Sequence, residues 1–201
     1  MPSTLPGFVV SGDVAKLSHV NIDMSTRPLR HTGAAWRLYQ DAFAEINVLA
    51  AQRHMMTEGE FMDAWFDKRV QKWISVDDHN ELIGLGVQTT DLTSWPLISP
   101  AYFALKWPEL YTAHKIWYVG FVCTRQDPPA PIDTFGAVIR AMSAETRAAG
   151  GISVMDYCTA NVNRGLPKGA LRLLSRAGEV EMEPIDAQTF YAYDFSGTAS
   201  L

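Results

Sequence analysis

Four side chains that can hold or transfer a proton lie in or beside two predicted strands. His114 and Tyr118 flank the start of the first strand, where a base could sit, although His114 could equally be a surface histidine. Tyr157 and Cys158 lie together in the second strand, where a tyrosine can also be a simple packing residue. Residue types of this kind, held close to a substrate, would support general acid–base catalysis.

Signatures of other chemistries are absent from the sequence. The histidines are scattered, with neither an HxxxH nor a CxxC metal spacing, so we predict no metal site. There is no Gly-x-Ser-x-Gly elbow, no GxxxxGK[ST] phosphate loop and no GxGxxG following a strand. Hydrolase triads, P-loop nucleotide binding and dinucleotide binding therefore lack support.

Three of the four proton-transfer candidates belong to a strand–helix–strand–helix unit between Ile116 and Gly178, and His114 lies just before it. The run Ile116–Thr124 is almost entirely apolar, aromatic or β-branched, which is typical of a strand buried on both faces. The later elements are a proline-rich loop at 125–131, an amphipathic helix ending at Ala149, a strand at 152–159 and a helix ending at Gly178. Because a helix joins the two strands, we expect them to lie parallel.

The rest of the chain predicts a mixed sheet with helices packed on its faces. In chain order we predict an irregular arm at 1–16, a strand at 19–24, helices at 34–53 and 57–69, a hairpin with arms at 70–76 and 81–90, an aromatic insertion at 91–113, and a closing antiparallel strand pair at 179–183 and 189–195. Thr57 and Glu60 have the spacing of a capping box at the start of the second helix. The insertion is expected to be a short aromatic lid or a helical excursion.

Composition and charge argue against some classes of partner and indicate where the protein is located. The net charge of -5 and the lack of a Lys/Arg cluster argue against a nucleic-acid partner. No apolar run is long enough to span a bilayer, and the N-terminus lacks a signal-peptide pattern, so we expect no membrane association. The two cysteines, Cys123 and Cys158, both fall in predicted buried strands and fit free thiols in a reducing cytoplasm. We therefore expect a cytoplasmic protein.

Three segments carry a resemblance to the GNAT superfamily of N-acyltransferases: the hairpin at 73–84, the strand–loop–helix at 119–150, and the Met155–Asn161 run. The resemblance implies an α/β (α+β) fold in one domain, 1–201. Its sheet would be mixed, mostly antiparallel and twisted, with helices on both faces and a central parallel strand pair. It also implies an acyl thioester donor, acetyl-CoA or another acyl-CoA, and a small-molecule acceptor such as an amine.

The resemblance further implies where the donor binds. In the family the two parallel strands diverge and their free backbone N–H groups bind pantetheine, while the pyrophosphate lies at the start of the next helix. The positions that correspond here are Val122, Cys123, Thr124, Arg125, Thr134, Asn161 and Asn163. Alternatively, Arg125 is a solvated loop residue, Thr134 caps a helix, and the two asparagines shape a turn.

The sequence departs from the family pattern at the donor loop and at the catalytic acid. The loop at 125–131 has three prolines and no glycine, and Leu174 stands where the family often has a tyrosine. Tyr157 or Cys158 could replace that acid. The donor could instead be carried on a protein-bound pantetheine, which makes a carrier protein a possible partner. Two other hypotheses are a binding or assembly module without transfer activity, with the aromatic insertion forming a homodimer contact, and another reaction on a thioester.

Overall fold

The computed structural model describes residues 21–25, 29–53, 55–96, 98–126, 130, 133–193 and 195. Its strands are β1 (Asn21–Ser25), β2 (Val70–Val76), β3 (Leu82–Thr89), β4 (Ile116–Thr124) and β5 (Ile152–Val154). Its α-helices are α1 (Thr32–Phe43), α2 (Ile46–Leu49), α3 (Glu58–Phe66), α4 (Pro100–Lys106), α5 (Pro108–Thr112), α6 (Thr134–Ala148), α7 (Thr159–Asn163) and α8 (Leu166–Leu174). Short 3-10 turns lie at Leu29–His31, Leu92–Ser94 and Ser175–Ala177.

The strands form one sheet in the order β1-β2-β3-β4-β5. The first four strands pair antiparallel, and β4 pairs parallel with β5 through the α6 crossover. The predicted fold class is therefore confirmed. Within the described residues the parallel pair lies at one end of the sheet and not at its centre, where the resemblance places it, because residues 179–193 add no strand beyond β5.

Helices cover both faces of the sheet. On one face α1 and α3 pack an aromatic core against β4, with 4.7 Å between the ring centroids of Tyr39 and Phe121 and 5.2 Å between those of Tyr39 and Phe61. On the other face α6 packs Val138 and Met142 against the sheet. Stacking helices on both sides buries the apolar strand β4, as its sequence predicts.

Strand β4 contains a bulge at Gly120. Val87 of β3 is opposite Phe121, whereas the next residue, Gln88, is opposite Val119, so Gly120 is the extra residue. A Cβ at Gly120 would overlap Cη2 and Cζ2 of Trp95 and lie 2.8 Å from its Cζ3. The indole therefore packs directly on the backbone of the bulge and leaves room only for glycine.

Several local predictions are confirmed. Thr57 caps α3: its hydroxyl accepts the Glu60 N–H, while the Glu60 carboxylate accepts the Thr57 N–H, which completes the capping box. The β2–β3 hairpin forms, and the aromatic insertion is a helical excursion made of α4 and α5. The helix predicted at 34–53 is split into α1 and α2, and α3 ends at Phe66 rather than at 69.

Two strand predictions are wrong. The strand predicted at 152–159 ends at Val154, and its last residue, Thr159, instead begins α7. The closing pair at 179–183 and 189–195 does not form in the described residues, which here contain no strand. An alternating pattern becomes a strand only when a neighbouring edge accepts its backbone hydrogen bonds.

The chain after Gly178 is held instead by side chains, among them Lys106, whose Nζ lies 3.4 Å from Oε1 of Glu183. Arg147 donates to the carbonyl oxygen of Glu179, and the Tyr102 hydroxyl donates to that of Ile185 at 2.7 Å. Beyond that contact Tyr191 and Tyr193 are highly exposed. The arm predicted at 1–16 lies outside the described residues. In the part of the chain described, no helix has both the length and the apolar character of a bilayer span.

Candidate functional site

The parallel strands separate soon after they meet. They pair at Ile116↔Ile152, Trp117↔Ser153 and Tyr118↔Val154, and β5 ends there. Strand β4 continues to Thr124 and, among the described residues, pairs only with β3 over that length. One side of the second half of β4 is therefore open.

A cleft of about 190 Å³ lies against this half of β4. Its lining residues are Ala42, Phe43, Glu45, Ile46, Val122, Cys123, Thr124, Gln126, Phe135, Asn161, Arg164 and Leu166. The end of α1 and the start of α2 form one wall, α7 and the start of α8 form the other, and β4 forms the floor. A cleft of this shape and mixed polarity can hold an extended ligand with alternating apolar and amide groups.

The two charged residues of the lining form an ion pair. Nη2 of Arg164 lies 2.6 Å from Oε1 of Glu45, and Nη1 lies 3.2 Å from Oε2. The Arg164 guanidinium holds the pKa of the Glu45 carboxyl below its ordinary value. Because Glu45 precedes α2 and Arg164 follows α7, the pair joins the two walls of the cleft.

The structure brings four of the predicted donor-binding residues together. Val122, Cys123, Thr124 and Asn161 all line the cleft. Asn163 is exposed and lies outside the lining.

Arg125 and Thr134 face elsewhere. The backbone N–H of Arg125 bonds the carbonyl of Ile83, and its Nη1 lies 3.7 Å from Oδ2 of Asp77, so this arginine is directed to the β2–β3 turn. Thr134 is fully buried, and its methyl group would lie 2.9 Å from a Cβ at Gly84. It packs α6 on the sheet. The interpretation of Thr134 as a cap is wrong, because the N-cap residue of α6 is Asp133.

Tyr118 and Asp156 form a polar contact where the strands part. The Tyr118 hydroxyl donates to Oδ1 of Asp156 at 2.6 Å. Burial, with the neighbouring carboxylate, raises the pKa of Tyr118, so the phenol stays protonated at neutral pH. Since Tyr118 stands at the last rung of the parallel pair, this contact marks the inner end of the opening.

The other proton-transfer candidates lie outside the cleft lining. The Tyr157 hydroxyl contacts Sδ of Met155 at 2.6 Å, and burial raises the pKa of Tyr157 to about 12. Cys158 is buried immediately before α7. His114 is exposed in the turn before β4, with a positive φ of 52°. Together with Tyr118, none of these four described residues contributes to the lining.

Sequence reasoning missed Glu45, Arg164 and Asp156. The Glu45–Arg164 pair joins residues 119 positions apart, and the Tyr118–Asp156 bond joins residues 38 positions apart. Glu45, Arg164 and Asp156 carry no local signal of a site, because single charged residues are common on the surface of any soluble protein. Only the fold brings them together.

Comparison with known proteins gives matches of structure. No protein-family model and no curated protein sequence matches the chain. An aminoglycoside acetyltransferase from an uncultured soil metagenomic sample, in complex with sisomicin, is 10% identical and superposes with a TM-score of 0.51, covering 87% of this chain and 97% of the other. A ribosomal-protein-alanine N-acetyltransferase from Brucella melitensis is 12% identical, with a TM-score of 0.48 and coverage of 86% and 100%.

What the first match shows is the arrangement of the strands and helices, over most of both chains. The chain has a GNAT-like fold.

Proposed function

We propose that this chain binds an acyl thioester, carried on a pantetheine arm, in the cleft against β4 and transfers its acyl group to the amine of a small molecule. The observation that carries the proposal is the separation of β4 and β5 after three paired positions. It leaves the second half of β4 without a strand partner on one side among the described residues, at the place where the cleft opens.

The lining of the cleft fits a pantetheine arm. Phe43, Ile46 and Phe135 offer apolar contact for its methylene and methyl groups. Thr124 and Asn161 offer polar groups, and the open side of β4 can bond two amides as a neighbouring strand would. The donor would supply an electrophilic thioester carbon: as the amine nitrogen bonds to that carbon, the C–S bond breaks, and the pantetheine thiolate leaves and takes a proton from water. This chain would bind, orient and desolvate the reacting groups.

Tyr118 and Asp156 are the polar pair best placed to take part in proton transfer. With its raised pKa, the Tyr118 phenol stays protonated; it would donate a hydrogen bond and would not act as a base. The exposed carboxylate of Asp156, which accepts from that phenol, would be the acceptor for a proton from the amine. Tyr157, whose pKa is about 12, is likewise suited only to donate.

Ligand binding tests the proposal first. We expect CoA, acetyl-CoA and pantetheine to raise the melting temperature in a concentration-dependent way, by about 5–10 °C at a hundredfold excess over Kd. Free-thiol release from a panel of acyl-CoA donors, with and without amine acceptors, then tests transfer. A carrier protein loaded with acyl-phosphopantetheine provides the second type of donor. No stabilisation by any pantetheine compound would exclude the proposal.

A second candidate is a binding module that holds a pantetheine ligand without transferring its acyl group. It is favoured by the absence of all four predicted proton-transfer residues from the described cleft lining, and by Leu174 at the position of the family tyrosine. The same experiments separate the two. Stabilisation by pantetheine compounds with no thiol release from either CoA or carrier-bound donors would support the module.

A further inference from the structure

The Glu45–Arg164 pair occupies the one place in the described cleft lining where charge is available. Arg164 is the only cationic residue of that lining, and Glu45 the only anionic one. Arg125, which the family pattern would direct to a phosphate, is instead turned toward Asp77. If an anionic part of a ligand enters this cleft, Arg164 is therefore the lining residue that can meet it.

The pair is built so that a ligand can replace one partner. Both side chains are more than half exposed, at 68% for Glu45 and 52% for Arg164. Exposed ion pairs of this kind change an equilibrium by only about fivefold or less, so breaking one is easy. The guanidinium already presents two N–H groups to two carboxylate oxygens, and the same fork fits two oxygens of a phosphate.

Both residues stand at junctions between helices. Glu45 follows the end of α1 and directly precedes α2, while Arg164 follows α7 and precedes Gly165, whose φ is 77°. Short junctions can rotate a side chain without disturbing a long helix or the sheet. The ion pair can therefore open without moving the helices that form the walls of the cleft.

We propose that Arg164 binds the phosphate of a phosphopantetheine donor, and that Glu45 occupies this arginine until the donor arrives. This inference rests on the proposed function, because it assigns the phosphate-binding residue of the same cleft. The phosphate takes the place of the Glu45 carboxylate on the guanidinium, and the displaced carboxylate turns to water. Glu45 thus competes with the ligand and weakens its binding.

The test compares 4′-phosphopantetheine with pantetheine, which differ by the phosphate alone, using titration calorimetry on the full chain. For Arg164→Gln we expect the Kd of 4′-phosphopantetheine to rise about tenfold while that of pantetheine is unchanged. For Glu45→Gln we expect 4′-phosphopantetheine to bind about threefold more tightly, again with pantetheine unchanged. Lys168→Gln is the control, because Lys168 is exposed on α8 and lies outside the lining, and its replacement removes the same charge.

The outcomes distinguish the phosphate-binding role of Arg164 from the proposed function of the cleft. If the wild type binds both compounds equally, or if Arg164→Gln and Lys168→Gln behave alike, the phosphate role is overturned while the proposed function stands. If the wild type binds neither compound, the proposed function fails and this inference fails with it. Should Arg164→Gln not fold, Glu45→Gln still decides, because it leaves the arginine in place. Unchanged affinity in that variant contradicts the competition.

Discussion

Replacing Gly120 with alanine tests the packing of Trp95 on the β4 bulge. The added Cβ would overlap two ring atoms, and even the third, Cζ3, would be only 2.8 Å away. That distance is about 0.7 Å inside ordinary carbon–carbon contact at about 3.5 Å. Trp95 is only 8% exposed and packs against Tyr118 and Phe121, so its rigid ring has little room to move.

The expected cost follows from this overlap. Overpacking by one methyl group in a well-packed core costs about 1–3 kcal/mol, and the overlap with a rigid ring places Gly120→Ala near the upper end, about 3 kcal/mol. For a chain of this size that corresponds to a fall in melting temperature of about 6–12 °C. Urea denaturation followed by tryptophan fluorescence and circular dichroism measures the free energy of unfolding directly.

A double-mutant cycle separates the overlap from other effects. Trp95→Leu alone should destabilise the protein by about 3 kcal/mol, because it leaves a cavity. When Gly120→Ala is already present, the same change should cost about 2 kcal/mol less, because it also removes the overlap. Gly59→Ala is the matched control: Gly59 is exposed in α3, and its Cβ would meet nothing within 4 Å. That variant should be neutral or stabilised by up to about 1 kcal/mol. A Gly120→Ala protein as stable as the wild type, or strictly additive effects in the cycle, would refute the packing argument.

Four further experiments test other features. Lys72 is fully buried, and burial lowers its pKa to about 8 from 10.5. Because the unfolded chain then binds more protons between those values, the unfolding free energy of the wild type should rise from pH 8 to 10.5, by about 2–3 kcal/mol at most. Lys72→Met should lack this rise in urea titrations across that range, and an equal rise in both proteins contradicts the assignment. Thr57→Ala should cost about 1 kcal/mol in the same assay, by loss of the cap. Hydrogen bonds from Arg53 and Thr57 lower the pKa of Glu60 to about 2 from 4.5. The ionised Glu60 carboxylate stabilises the fold fully above pH 4.5, and this stabilisation is lost as the pH falls toward 2. In Glu60→Gln the free energy of unfolding should therefore fall less steeply between pH 4.5 and 2. An unchanged slope would exclude the contribution. Finally, Cys123 is buried and its thiol pKa is raised, so an aromatic disulfide reagent at about pH 8 should label it only after unfolding, and rapid labelling of the native protein would contradict its placement.

The features predicted correctly are those that the chain specifies locally. Thr57 and Glu60 form a capping box because a hydroxyl and a carboxylate three positions apart can satisfy helix N–H groups without help from the rest of the fold. The run Ile116–Thr124 is so apolar that only a strand covered on both faces can accommodate it. Such patterns allow a helix start or a strand to be predicted from the local sequence alone.

The wrong predictions concern elements that depend on a neighbour. Residues 179–183 alternate between glutamate and an apolar residue, as a strand with one solvated face would, but their backbone groups pair with no sheet edge in the described structure. The predicted strand at 152–159 stops at Val154 because β4 and the following chain diverge there. A period of two describes the side chains. Whether a partner accepts the backbone hydrogen bonds is decided elsewhere in the molecule.

The candidate site likewise contains residues that the sequence predicts and residues that only the fold brings together. The family resemblance predicts that Val122, Thr124 and Asn161 bind the donor, and all three line the cleft. Arg125 could be named as well, but its ion pair with Asp77 turns it away. The Glu45–Arg164 pair could not be predicted, because its spacing along the chain follows no period of a helix or a strand.

The strands of this sheet lie side by side in the order in which they are synthesised. Each new strand needs only to join the edge left by the one before it, with no insertion between strands that already pair. We therefore expect the sheet to grow outward from the β2–β3 hairpin when the chain folds, with β5 and α6 docking last. In pulse-labelling hydrogen exchange, β2 and β3 should acquire protection before β5 does, and the reverse order would exclude this sequence of assembly.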